Sequence, residues 1–137
     1  MNKKKLNEFL KEAGTLDLAT SENNQPHVRC MAAIYHENSL WCCTKSDRKK
    51  VQELKQNELI EICIIVQGGQ DLGSIRGSGK AIIVTNQQVR AELAEIIPFF
   101  KAYWKTPQDT DFTLIKLAID HYILHDPDDK QFYTISI

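Results

Sequence analysis

Hydrophobic and polar positions along the chain follow two periods, one helical and one of strand type. Near the N terminus, apolar residues recur every three or four positions and stop before Gly14, which predicts a short helix. Three later segments have a helical pattern as well: 47–56, 86–97 and, as one short further helix, 98–104. Thr85 or Asn86 is suited to cap the helix predicted at 86–97.

Alternating or continuously apolar positions predict strands at 15–20, 26–35, 40–44, 59–67, 74–85, 112–124 and 131–137. Hairpin turns are predicted at 22–25 and 36–39, where polar turn residues separate neighbouring strands. Segment 59–67 is almost wholly apolar and β-branched, so we expect it to be buried on both faces. Glycines at 77 and 79 indicate a bend or a close backbone approach. Strands joined mostly by hairpins predict a mainly β fold, an antiparallel barrel with helices at its openings.

The strand predicted at 26–35 has two different faces. Val28, Cys30, Ala32 and Ile34 make one face small and apolar, and we expect that face to lie in the core. The opposite face carries Arg29 and ring residues, so we expect it to meet something other than a plain core.

The length and the net charge of the chain limit the classes of protein to which it can belong. The chain has 137 residues, the size of one domain, and we expect a single domain over residues 1–137. Its 17 basic and 18 acidic residues give a net charge of −1, so no nucleic-acid or anionic-membrane partner is implied. The polar start is not that of a secretory signal peptide, and we expect a cytoplasmic protein.

Cysteine and histidine give little sign of metal chemistry. The four cysteines have no Cys-x-x-Cys spacing and are expected to be buried, reduced thiols. His121 and His125 are four residues apart, but on a strand they would lie about 13 Å from each other. We therefore expect no metal site.

The densest polar cluster follows the third strand, in segment 44–54. It combines two hydroxyls, four basic side chains and the N terminus of a helix, a combination that suits a phosphate dianion. Arg29 lies on the preceding strand and could face the same anion, because consecutive antiparallel strands are usually neighbours. Taken alone, each feature is also typical of a solvated helix face or an ordinary surface arginine.

The chain resembles the pyridoxamine 5'-phosphate oxidase-like split-barrel flavoproteins, and within them the general stress protein branch. The segments that carry this resemblance are Pro-x-Val-Arg-x-Met at 26–31, Leu-Trp-Cys-Cys-Thr at 40–44, Lys-Val-Gln-Glu-Leu at 50–54, Gly-Ser-Gly-Lys-Ala at 77–81 and Phe-Thr-Leu-Ile-Lys-Leu at 112–117, with Tyr122. The resemblance implies an antiparallel split barrel that binds flavin mononucleotide (FMN).

By this resemblance, the cofactor-binding residues are Arg29, Cys30, Met31, Ala32, Cys43, Thr44, Lys49 and Lys50. The arginine would contact the phosphate or the ribityl chain, and segment 30–32 would lie along the isoalloxazine through its backbone. The two lysines would be the family's basic phosphate-binding pair. No catalytic residue is implied, because in flavoproteins the cofactor carries the redox step.

The family also implies a homodimer with flavin at its interface. The aromatic residues of segment 99–104 would cover the partner's flavin or the interface, although core packing of a short helix explains them equally well. Two departures from the oxidase are visible. Ser74 stands near a position where the oxidase often has glutamine, so the resemblance does not carry that flavin contact over to this chain. Nothing resembles the oxidase's substrate-binding C-terminal segment, which argues against vitamin B6 oxidation.

Three functions follow from the resemblance. The first is an FMN-dependent oxidoreductase with a small-molecule substrate and a nicotinamide electron donor. The second is a non-catalytic flavin store, sensor or stress-related adaptor. The third is a binder of haem or a deazaflavin on the same barrel, for which His121 or His125 would be the axial ligand of haem.

Overall fold

The computed structural model describes residues 2–137 as eight strands and four helices. The helices are α1 (Asn2–Glu12), α2 (Lys49–Gln56), α3 (Gln87–Ile96) and α4 (Phe100–Tyr103). The strands are β1 (Thr15–Glu22), β2 (Gln25–Ala32), β3 (Ile34–His36), β4 (Ser39–Lys45), β5 (Leu59–Gln67), β6 (Leu72–Val84), β7 (Phe112–His125) and β8 (Phe132–Ser136). The predicted elements are confirmed in type and order, apart from one strand that divides in two.

All strand pairs are antiparallel, in the order β2-β1-β5-β6-β7-β4-β3, and β8 also pairs with β7. The mainly β split-barrel fold is therefore confirmed. Both predicted hairpin turns are present, and each has two central residues with positive φ: Asn23 and Asn24 in one, Glu37 and Asn38 in the other. This is the turn geometry that suits the right-handed twist of paired strands.

The barrel closes at Ala33, where the predicted strand 26–35 is interrupted. Up to Ala32 the chain pairs with β1, and from Ile34 it pairs with β4 at the opposite end of the sheet order. At the interruption, the Ala33 N–H donates to the Gly14 carbonyl at 3.0 Å. One segment thus supplies both edges of the sheet.

The apolar core face expected for β2 is wrong at two of its residues. Val28 is 71% exposed and Cys30 is exposed, whereas Met31 is buried. The inward positions at this end of the barrel belong to polar residues, because Arg29 pairs there with Glu53 of α2 at 2.8 Å. Val28 and Cys30 therefore point outward. Ile34 of the same expected face is buried as predicted, and Arg29 meets something other than a plain core, also as predicted.

Burial of β5 on both faces is also wrong. Ile60, Ile62 and Ile64 are buried, but Leu59 and Ile65 are 60% and 68% exposed. The strand has an inner face toward the barrel interior and an outer face that no element of the described chain covers.

Gly79 is required by a close approach between β6 and β7. The register shifts between Ser78 and Gly79, and a Cβ at Gly79 would lie 2.0 Å from the Ala118 carbonyl oxygen. The predicted bend is thus a β-bulge that any side chain at this position would disturb.

Two clusters of buried side chains flank the sheet. The larger fills the barrel and includes Leu6 and Leu10 of α1, which close one opening. The smaller lies between the sheet and segment 93–104 and contains Phe100, Trp104 and Phe112. No helix in residues 2–137 has the length and hydropathy to cross a membrane.

Candidate functional site

A pocket of about 390 Å³ lies where the barrel closes, between the end of β2, the end of β4 and α4. Its lining residues are Met31, Ala32, Cys43, Thr44, Lys45, Arg48, Lys50, Phe99, Tyr103 and Trp104. The lining contains three cations and no acidic side chain. One end is therefore positive and hydroxylated, and the other is apolar and aromatic.

The turn between β4 and α2 is held by hydrogen bonds to residues far away in sequence, and these bonds position the cationic end of the pocket. The Ser46 N–H donates to the backbone carbonyl of Asp111 at 2.9 Å and to its side chain at 3.2 Å. The Ser46 hydroxyl, one of the two hydroxyls of segment 44–54, is 2.7 Å from the Thr113 hydroxyl and is therefore engaged outside the pocket. These contacts hold the first turn of α2 beside the end of β4.

Lys50 is the central cation of the pocket. Its Nζ donates to the Thr44 hydroxyl at 3.2 Å, and no carboxylate among residues 2–137 lies within ion-pair distance of it. Burial lowers the pKa of Lys50 below its ordinary value of 10.5, and the nearby charges of Arg29 and Arg48 lower it further, while the charge of Glu53 offsets a smaller part of this shift. The half-buried ammonium lacks an anionic partner, and an anion bound in the pocket would stabilise its charge.

The two other cations of the pocket have acidic neighbours. Lys45 Nζ is 2.7 Å from Asp111, and this hydrogen bond raises the pKa of Lys45. Arg48 is 3.3 Å from Asp47, and both of these side chains are exposed. Such exposed pairs are worth little energetically, so Arg48 is free to turn toward a ligand.

The aromatic end of the pocket belongs to the smaller buried cluster. Trp104 packs on Phe100 and Phe112, with ring centroids 5.4 Å and 4.9 Å away. Trp104 is 4% exposed, and its Nε1 has no hydrogen-bond partner among the described residues. Buried indole N–H groups usually find an acceptor, so a donor without one in a side chain that lines the pocket is a candidate contact for a ligand.

Cys43 stands between the two ends. Burial raises its pKa to about 12, so the side chain is a neutral thiol at physiological pH. Because the thiolate is the reactive form of cysteine, Cys43 contributes surface to the pocket rather than a nucleophile.

Five of the eight predicted cofactor-binding residues line this pocket: Met31, Ala32, Cys43, Thr44 and Lys50. Arg29, Cys30 and Lys49 do not. Arg29 donates to the Leu18 carbonyl, to Thr20 and to Glu53. The side chain of Cys30 is exposed, and Lys49 is 3.5 Å from Glu22.

Sequence reasoning did not select Lys45 and Arg48, although the basic cluster in 44–54 contained the signal. Of the predicted aromatic residues, Phe99, Tyr103 and Trp104 line the pocket, and Phe100 packs in the core. His121 and His125 lie on a strand as expected, and neither lines the pocket. Ser74 does not line it either.

Comparison with known proteins places this geometry in context. Three similar solved structures are a NimC/NimA family protein from Clostridium acetobutylicum, General Stress Protein 26 from Bacillus anthracis and a heme binding protein from Mycobacterium smegmatis. The first is 25% identical with a TM-score of 0.81, and the match covers 98% of this chain and 91% of that one. The second is 21% identical with a TM-score of 0.76 and covers 98% of both chains.

The third is 12% identical with a TM-score of 0.78, and covers 95% of this chain and 55% of the other. The similarity to the second and third structures establishes the fold alone. None of the curated proteins matches the sequence. A family model described as Pyridoxamine 5'-phosphate oxidase matches residues 3–126, and the chain therefore belongs to that family.

Proposed function

We propose that this protein binds FMN in the pocket between β2, β4 and α4 and acts as an oxidoreductase on a small molecule. The phosphate is held by the cationic end, at Thr44, Lys45, Arg48 and Lys50. The isoalloxazine lies toward Met31 and the aromatic end.

One observation carries this proposal: Lys50 is half-buried and has a hydroxyl partner but no carboxylate partner among the described residues. A half-buried ammonium without an ion-pair partner is stabilised when an anion completes the site. A phosphate monoester supplies that anion, and neighbouring hydroxyl and cationic groups supply further charge-assisted hydrogen bonds.

The rest of the pocket fits the other end of FMN. Its volume of about 390 Å³ is typical of small-molecule sites. The unpartnered N–H of Trp104 suits the carbonyl and ring-nitrogen acceptors of a flavin. The site therefore matches an elongated ligand that is anionic at one end and flat and apolar at the other.

The chain's own residues bind and orient the cofactor. FMN, when bound, supplies hydride or electron transfer. Lys50 and Thr44 anchor the phosphate, the aromatic side chains exclude water from one face, and the neutral Cys43 thiol adds no competing nucleophile. We assign no catalytic side chain.

Three of the predicted cofactor-binding residues, Arg29, Cys30 and Lys49, do not line the pocket. Arg29 acts on the pocket indirectly, because its charge contributes to the lowered pKa of Lys50. Direct contact of FMN with Arg29, Lys49 or the backbone of Cys30 stays a prediction.

We also propose a cytoplasmic homodimer with FMN at its interface. Tyr103 lines the pocket and is 59% exposed, so one wall of the site ends in an aromatic side chain that a second copy could cover. A nicotinamide nucleotide is the proposed electron donor.

The alternatives differ in spectrum and in turnover. Axial ligation of haem by His121 or His125 is not favoured for this pocket, because no histidine of residues 2–137 lines it. A deazaflavin or a non-catalytic role for bound flavin remains an alternative that the experiment below distinguishes.

The decisive experiment is mass spectrometry of the small molecule released from the protein purified without added cofactor, followed by titration with FMN. We expect FMN to be released or to bind with a change in flavin fluorescence. Unchanged fluorescence across the titration would overturn the proposal. Reduction of bound FMN by NADPH or NADH, with turnover by an acceptor, separates an oxidoreductase from a flavin store.

A further inference from the structure

A second group of polar side chains lies at the β1–β2 hairpin, outside the FMN pocket. Thr20 and His27 are opposite each other in the ladder, and Glu22 is two residues further along β1, on the face that carries Thr20. Helix α2 covers this face and contributes Glu53. One donor atom from each of Glu22, His27 and Glu53 lies within 4.8 Å of the other two.

Glu53 is the buried member of the group, at 1% relative exposure. Its Oε1 accepts hydrogen bonds from the Thr20 hydroxyl at 2.9 Å and from Arg29 at 2.8 Å. Its Oε2 accepts none from any described residue and lies 3.6 Å from His27 Nε2. One carboxylate oxygen is thus fixed in place while the other is available at the centre of the group.

We propose that Glu22, His27 and Glu53 bind a divalent transition-metal cation, with Zn²⁺ as the best fit. One imidazole nitrogen and two carboxylate oxygens are ligands that Zn²⁺ accepts, and three protein ligands leave a fourth position for water. Thr20 and Arg29 orient the Glu53 carboxylate from outside, as groups behind metal ligands commonly do.

The basic side chains near this group of residues do not block the position of such an ion. Arg29 donates to Oε1 of Glu53 and not to Oε2, the oxygen that faces His27. Lys49 is 3.5 Å from Glu22 but 69% exposed, so this weak pair can open and let the side chain move into solvent. Glu22 and His27 are 28% and 32% exposed, which gives the ion a path to the site.

The chain has a second group with the same donor types, which provides a control. His36, Glu37 and Glu92 also bring their donor atoms together. In that group Glu37 and Glu92 are 71% and 48% exposed, and neither carboxylate is buried and held from behind. We expect no comparable affinity there.

The test is calorimetric titration of the full-length protein with Zn²⁺ after removal of metals by EDTA, with FMN binding measured in parallel. We expect one site in the wild type. Affinity should fall at least about tenfold in His27→Gln and in Glu22→Gln, and stay unchanged in His36→Gln. Glu53 is not substituted, because its loss would leave Arg29 without its carboxylate partner.

Titration with Co²⁺ identifies the donor atoms. Absorption without a thiolate-to-metal charge-transfer band is expected from the nitrogen and oxygen set, whereas a thiolate band would show binding by Cys30 or Cys63 and overturn the proposal. Absence of a wild-type site at micromolar Zn²⁺ would overturn the proposal as well. So would an affinity equal to that of the wild type in His27→Gln and Glu22→Gln, whose folding is checked by circular dichroism. Retained FMN binding in that event would leave the proposed function standing.

Discussion

Arg29 of β2 donates a hydrogen bond of 2.8 Å to the buried carboxylate of Glu53 on α2. This contact ties the strand that closes the barrel to the helix whose first turn carries Lys49 and Lys50. An arginine that the sequence pattern assigned to an anionic ligand thus has an anionic partner within the chain. Of the four basic side chains in segment 44–54, Lys50 is the one without an ion-pair partner among residues 2–137.

Arg29→Ala is expected to destabilise the protein by about 3 kcal/mol, because Glu53 would be left buried without its cation. Urea unfolding at neutral pH in the presence of EDTA measures this change. Arg76→Ala is the matched control, since Arg76 pairs with Glu61 at the exposed surface and should cost at most about 1 kcal/mol. Equal stability of the two variants would contradict a structural role for Arg29.

Lys50→Ala is expected to weaken FMN binding by about 1–3 kcal/mol through loss of a charge-assisted contact with the phosphate. Fluorescence titration of the folded variant measures the loss. Lys55→Ala on the same helix is the control, because Lys55 does not line the pocket and should leave the affinity unchanged. Riboflavin, which lacks the phosphate, should bind the wild type and the Lys50 variant alike. A similar loss for riboflavin would place the effect elsewhere than at the phosphate.

Trp104→Phe removes a buried N–H that has no partner in the described protein. Relief of that unsatisfied donor offsets the lost ring surface, so we expect the free energy of unfolding to change by less than about 1 kcal/mol. FMN binding should weaken by about 1 kcal/mol if the N–H donates to the flavin.

The matched control is Trp41→Phe, whose indole N–H donates to the His36 carbonyl at 3.1 Å. That variant should lose stability by about 1 kcal/mol and keep its FMN affinity. Undiminished FMN affinity in Trp104→Phe would show that the indole N–H does not contact the cofactor.

Gly79→Ala is expected to destabilise the protein by about 1–3 kcal/mol, since the new Cβ would meet the backbone of β7 at 2.0 Å from the Ala118 oxygen. Thermal and urea unfolding measure the change. Gly69→Ala is the control, because a Cβ at that glycine meets nothing within 4 Å. Full stability of Gly79→Ala would mean that the bulge between β6 and β7 can move.

Acid unfolding should depend on Asp126, which is buried and bonded to Lys5 at 2.7 Å. Burial alone would raise its pKa, but the hydrogen bonds from Lys5 and the Asp128 N–H lower it below the ordinary value of 3.8. The folded state therefore holds this proton less tightly than the unfolded state does. Its contribution to stability is complete above pH 3.8 and is lost as the pH falls below that value.

Asp126→Asn should flatten the dependence of unfolding free energy on pH in that acidic range. The exposed Asp120→Asn variant should leave the dependence as it is in the wild type. Equal slopes in Asp126→Asn and the wild type would contradict the assignment.

Local pattern predicted the helices, the hairpins and most strand bounds because each depends on neighbours within a few residues. The positive-φ turns at Asn23–Asn24 and Glu37–Asn38 follow from polar turn residues between apolar segments. The glycines of β6 indicated a close approach before its partner strand was known. For the same reason, the cationic half of the pocket was visible in segment 44–54 as a cluster of four basic residues close together in sequence.

Which side of a strand faces the core could not be read in the same way. The alternation in β2 gave two faces, but only the packing of α2 shows that Arg29 points inward and that Val28 and Cys30 point outward. The outer face of β5 was misassigned for a related reason, since apolar side chains stay exposed where no element covers them.

The sequence by itself determined the elements, the antiparallel class and a basic cluster suited to phosphate, because these depend on local periodicity and composition. Tertiary structure decided where the chain changes sheet edges at Ala33 and which cations retain a free charge. The reason is that partners far apart in sequence, such as Arg29 with Glu53 and Lys45 with Asp111, take up charges that look alike along the chain. Lys50 donates to the Thr44 hydroxyl and has no ion-pair partner among residues 2–137, which is why we propose it as the cation that binds the anion.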